Sequence, residues 1–184
     1  MTIIQDKASI GDKLKALQAS IHQTIATMPE DKLYTGTETE WSPADYLKHI
    51  IISVKSFAKG LQLPKDQLGN MFGKSDNGSM TYDALVALYD GKIADGMRAE
   101  MAPNITPMNY RMPEDVEDVR AYLLETWDSA NQRLIDALEH WSEDDLDTYQ
   151  LPHPATGPIT MRDMYFFTIH HNELHGEDIK RGGQ

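Results

Sequence analysis

The chain has 184 residues, 40% of them hydrophobic and 25% charged, so one globular domain spanning residues 1–184 with its own apolar core is the expectation. Seventeen basic residues against twenty-nine acidic ones give a formal net charge of -12, a field that repels phosphate backbones and anionic lipid and argues against nucleic acid and membrane surfaces as partners. Cysteine is absent, which removes disulfides, thiolate nucleophiles and cysteine-type zinc sites and fits a reducing compartment; with no signal-like N-terminus and no run of roughly 20 apolar residues, a cytoplasmic protein is expected.

In chain order the pattern is helical. Leu14, Leu17, Ile21, Ile25 and Met28 recur at steps of three and four and predict one apolar stripe on a first helix that Pro29 closes. A second helix is predicted from Ser42 as cap, Pro43 in the first turn and Asp45 completing a capping box, with Trp41 at the staple position and the end near Gly60. Pro64, Gly69, Gly73 and Gly78 then mark residues 61–79 as a long loop. Tyr82, Leu85, Val86, Tyr89 and Ile93 predict a shorter helix capped by Ser79 or Thr81, and Pro103, Pro107 and Pro113 forbid regular structure after it. A long helix is expected from Glu114 to about His140, with Val116, Val119, Leu123, Trp127, Ala130, Leu134, Ala137 and Trp141 on its apolar side and an acidic first turn. Residues 142–158 read as an irregular connection. The last helix starts at Thr160, whose capping box with Asp163 is explicit, and runs to near Gly182. The fold class is therefore all-α: a four-helix bundle with crossover connections and an additional short helix in the middle insertion.

Histidine carries the chemical signal. His171 and His175 are four apart on one helix, so they project from nearly the same side and can bind one ion. Their stripe runs back through Met164, Phe167 and Thr168, the core-facing side, where a neutral imidazole needs a partner to offset its desolvation. His49, within the apolar run of the second helix, is the natural third ligand from a facing helix. Three imidazoles leave coordination positions open for water or substrate. Against this stands the plain reading of core histidines held by hydrogen bonds. His170 projects about 100° from His171 and reads as a surface or supporting residue. His22 and His140 read as solvated, and His153, between two prolines, could swing toward the site. Asp178 shares the His171 face and could accept an imidazole N–H or join the metal shell; Asp45 is explained by capping, and Glu173 points away and reads as solvated. Trp127, Trp141, Tyr165 and Phe166 are expected in the core.

The run WSPADYLKHI, with its Trp, capping Ser and mid-helix His, and the run HHNELHGEDI, with two histidines four apart, resemble the second and last helices of the DinB-like superfamily. That resemblance implies a four-helix bundle with a metal held by three histidines, at positions matching His49, His171 and His175. It also implies frequent dimers and, among characterised relatives, thiol-dependent transferases and isomerases that use low-molecular-weight thiols such as bacillithiol or mycothiol. The family often has Arg-Gly-Gln after the final histidine; Gly176, Glu177 and Asp178 stand there here, so no specific substrate contact carries over. The expected function is a metal-dependent enzyme acting on a small-molecule substrate, a thiol-dependent transferase or a hydrolase, with zinc or nickel as the ion. The alternative is a non-catalytic metal- or ligand-binding helical module.

Overall fold

In the computed structural model, which describes residues 4–97 and 105–184, the chain is mostly helical, with eight α-helices and one two-stranded hairpin among those residues. Helix α1 (Lys7–Thr27) buries Leu14, Ile21 and Ile25 of the predicted stripe and Ile10 one turn earlier, with Leu17 half-buried, and starts from an Asp6 cap that Ser9 reciprocates. A single turn, α2 (Glu30–Leu33), follows Pro29. In α3 (Pro43–Gly60), Ser42 caps by accepting the Asp45 N–H, but the expected capping box does not close, because the Asp45 carboxylate accepts the Ser42 hydroxyl at 2.7 Å rather than its backbone N–H. The buried side of α3 includes Leu47, His49, Ile50, Ile51, Val54 and Phe57.

Four elements occupy stretches expected to be irregular. Helix α4 (Lys65–Phe72) lies within the 61–79 loop, starting just after Pro64 and burying Leu68. Helix α7 (Glu143–Thr148) is capped by Ser142 and has an acidic first turn. Strands β1 (Gln150–His153) and β2 (Gly157–Thr160) pair antiparallel, with Pro152 facing Pro158. Proline has no N–H to give a ladder, so two prolines on the same rung cost only the one non-hydrogen-bonded position.

Helix α5 (Tyr82–Ala94) is capped by Thr81, one of the two candidates. After it, the expectation that Pro103 breaks structure lies outside the described residues. Pro107 opens a short 3-10 turn, Pro107–Asn109, which packs on α3. Helix α6 spans Val119–Glu139 rather than starting at Glu114, because the Asp118 side chain accepts the Ala121 N–H and so becomes the cap; the acidic run lies ahead of the helix. Helix α8 (Met161–Gly182) begins at the predicted Thr160–Asp163 capping box.

The four long helices make the principal contacts: α1 packs on α6 and α8, and α3 packs on the same two, while α5 lies across α8. Trp127, Tyr165 and Phe166 are fully buried at the centre. The Trp127 indole N–H donates to the Gln18 carbonyl at 3.1 Å and the Tyr165 hydroxyl to the Leu134 carbonyl at 3.0 Å, which satisfies the polar atoms these rings carry inward. Among the described residues no helix is long and apolar enough to cross a membrane.

Candidate metal centre

The predicted capping motifs place the histidines. Ser42 fixes the start of α3, so His49 falls one turn and a half into its buried side; Thr160 fixes the start of α8, so His171 and His175 stack one turn apart against α3. The rings meet. His49 and His171 have centroids 4.9 Å apart, His49 and His175 4.8 Å, and His171 and His175 4.6 Å. One nitrogen from each lies within 4.8 Å of the others. The first ring, from the opposite end of the chain, is thus where the sequence reading requires it.

Hydrogen bonds set which nitrogen of two rings carries the proton. His49 Nδ1 is 2.6 Å from the Ile105 carbonyl oxygen, which can only accept, so the proton is on Nδ1 and the Nε2 lone pair is free. His175 Nδ1 donates to the Asp178 carboxylate at 2.9 Å, again freeing Nε2. His49 Nε2 faces His171 Nε2 at 3.0 Å, and the buried His171 Nδ1 has no hydrogen-bond partner. Two nitrogens that close need a shared proton or a shared cation between them. Burial, reinforced by the His175 ring, pushes the His49 imidazole down to about 4, against the pull of the Ile105 carbonyl; burial first and then the neighbouring histidines hold His171 well below its ordinary value. At neutral pH both offer lone pairs rather than positive charge. Burial raises Asp178 but is outweighed by the His175 hydrogen bond and by Arg181, which donates to it at 2.7 Å, so the carboxylate stays below its usual range.

Two aromatic rings brace the cluster. Tyr46 stacks on His175 at 5.4 Å, and Trp41 lies 5.2 Å from His49 and 5.5 Å from Tyr46. Trp41 therefore does more than staple the helix start. Beside the rings opens a cavity of about 430 Å³, lined by the three histidines and Asp178, by Tyr89, Ile93 and Met97 of α5 and the chain after it, by Ile105, Phe167 and Leu174, and by His153, Pro154 and Ala155 of the hairpin. Its size suits a small organic molecule, and its wall is chiefly apolar.

The remaining candidates fall on both sides of expectation. Asp178 contacts an imidazole, as allowed, through His175. Asp45 serves the cap and pairs with Lys48 at 2.9 Å. His140 is exposed, while His22 is partly buried against Asp128 at 2.7 Å. His153 does reach the cavity. The reading of Glu173 as solvated is corrected: half-buried, it accepts the Tyr82 hydroxyl at 2.8 Å and pairs with Lys13. His170 takes the supporting one of its two readings, buried and paired with Asp90 at 2.8 Å. In both cases α5 covers a side of α8 that its own sequence leaves looking free. Ile105, Tyr89 and Trp41 were not foreseen. Ile105 acts through its carbonyl, which no residue type announces.

Helices enclosing a histidine cluster at the edge of an apolar cavity define a helical protein with a ligand-competent imidazole triad. The chain belongs to the DinB superfamily, whose sequence profile matches residues 13–179. No curated protein and no solved structure matches it.

Proposed function

We propose that the chain is a single four-helix-bundle domain that holds one divalent metal between His49, His171 and His175 and uses it in small-molecule chemistry, as a thiol-dependent transferase or a hydrolase. The observation that carries this is the convergence of three imidazole nitrogens within 4.8 Å in the wall of a cavity open to a ligand. The bundle reading rests on the packing of α1 and of α3 each against both α6 and α8. The donor set fits the ion: three neutral nitrogens, no thiolate, a pattern suited to zinc or nickel. A bound ion of this kind supplies Lewis acidity and lowers the pKa of a water or external thiol to near neutrality. The chain's own residues do the rest. The Ile105 carbonyl and the Asp178 carboxylate hold the protons of His49 and His175 on the outward nitrogens, fixing ring orientation. Tyr46 and Trp41 pack the rings, and the apolar wall limits water at the site. A thiol cosubstrate must come from outside, since the chain has no cysteine. A cytoplasmic homodimer belongs to this proposal, and light scattering tests its dimeric part.

Metal analysis of protein purified without an affinity metal decides the first step. Wild type should carry about one zinc or nickel per chain, and His49→Ala should lose most of it; a stoichiometric metal in that variant refutes the triad. A panel of low-molecular-weight thiols and ester substrates then tests turnover. One observation favours the alternative, a binding module without turnover. Asp178, the nearest carboxylate, is already committed to His175 and Arg181 and is a poor proton acceptor. Stoichiometric metal with no turnover on either panel would select that reading.

A further inference from the structure

His153 lies outside the triad but in the wall of the same cavity. Its Nδ1 accepts the Ala155 backbone N–H at 3.3 Å and lies 3.2 Å from the Thr156 hydroxyl. A backbone N–H can only donate, so Nδ1 holds the lone pair and the proton sits on Nε2. The hairpin turn thus locks one tautomer. Nε2 has no hydrogen-bond partner among the described residues, yet it is not sealed in the interior. Burial pushes this imidazole down to about 4, so at neutral pH it is an uncharged donor. The ring packs on Phe167 at 4.2 Å, and Phe167 in turn contacts His171 at 5.0 Å. One aromatic ring therefore separates the His153 donor from the triad. A polar N–H on a residue of a largely apolar cavity wall gains from a ligand that accepts from it.

We propose that the cavity binds a small, largely apolar ligand bearing a neutral carbonyl-type oxygen, which accepts the His153 Nε2–H and so directs the rest of the molecule along Phe167 toward the triad. This deepens the reading of the cavity as a substrate site. In the metal-free protein, neutrality of the acceptor follows from the wall: His153 carries no charge, Asp178 is anionic, and the chain carries a net charge of -12. The role is recognition and positioning.

The test uses full-length, chelator-treated protein and two matched probes, acetophenone and α-methylstyrene, in which a methylene replaces the carbonyl oxygen. Affinities come from NMR titration of wild type, His153→Phe and His153→Gln. The ratio of the two affinities should shift about tenfold against acetophenone in His153→Phe, and His153→Gln, which keeps an N–H donor, should recover most of it. In 15N-histidine-labelled wild type, acetophenone should move the His153 Nε2–H resonance and α-methylstyrene should not. An unchanged ratio, an equal loss for both probes, no binding of either, or an unmoved Nε2–H resonance overturns the proposal. If His153→Phe does not fold, the wild-type resonance and His153→Gln decide. Because the protein is metal-free, failure here is separate from failure of the metal triad, which His49→Ala reports.

Discussion

Asp178→Asn isolates what the carboxylate does for the proposed metal centre. Asp178 Oδ2 accepts the His175 Nδ1–H at 2.9 Å, and Oδ1 accepts from Arg181 at 2.7 Å. Asparagine keeps the shape and one acceptor but removes the charge, and a charge-assisted bond is about twice as strong as a neutral one. Losing such a partner behind a ligating imidazole typically costs 10–100-fold in metal affinity. The Asp178 side chain is 21% exposed, so solvent screening places the expected loss near the lower end, about tenfold, or about 1.4 kcal/mol. The assay is chelator competition for zinc, with a thermal melt to show that the variant is folded. Glu177→Gln is the control: its side chain is 71% exposed and pairs with Lys180, so its affinity should stay within about twofold. A zinc affinity in Asp178→Asn within twofold of wild type, or an equal loss in Glu177→Gln, would refute the argument that this carboxylate orients His175.

The metal-free protein should lose stability on mild acidification. The unfolded His49 protonates near 6.5 and the folded one only near 4, so between those values the unfolded state holds more protons and falling pH favours it. His49 alone should cost about 2 kcal/mol between pH 7 and 5, with His171 acting in the same direction. Urea unfolding at the two pH values measures this, and equal stabilities would contradict it. Trp127→Ala should cost about 3–5 kcal/mol in the same assay, since it empties a fully buried site and leaves the Gln18 carbonyl without its donor; a cost below 1 kcal/mol would mean the centre repacks freely. Thr160→Ala should cost about 1 kcal/mol through the lost cap of α8 while leaving zinc affinity within threefold, measured by melt and chelator competition.

The sequence carried the long helices and the triad for the same reason: each depends on local spacing. Caps at Ser42, Thr81 and Thr160 and the stripes of α1 and α6 are read within one or two turns of chain. The short elements are less legible. Prolines at Pro152 and Pro158 argue against strands taken singly, and only their pairing on one rung makes the hairpin possible. The roles of His170 and Glu173 were hidden because their partners, Asp90 and Tyr82, belong to α5, whose placement across α8 is a tertiary fact. His153 was recognised as free to approach the site, but its tautomer depends on a turn that residue types alone do not specify. The carbonyl of Ile105 lies in a proline-rich stretch that gave no periodic signal.

That carbonyl has a wider consequence. Ile105 both aims the His49 ring and forms part of the cavity wall, and the turn that follows it, Pro107–Asn109, rests on α3. Ring direction and pocket outline are therefore set by one backbone position far along the chain from His49. A sequence change that slides this stretch along α3 would retune imidazole aim and ligand fit together, without altering any side chain at the centre.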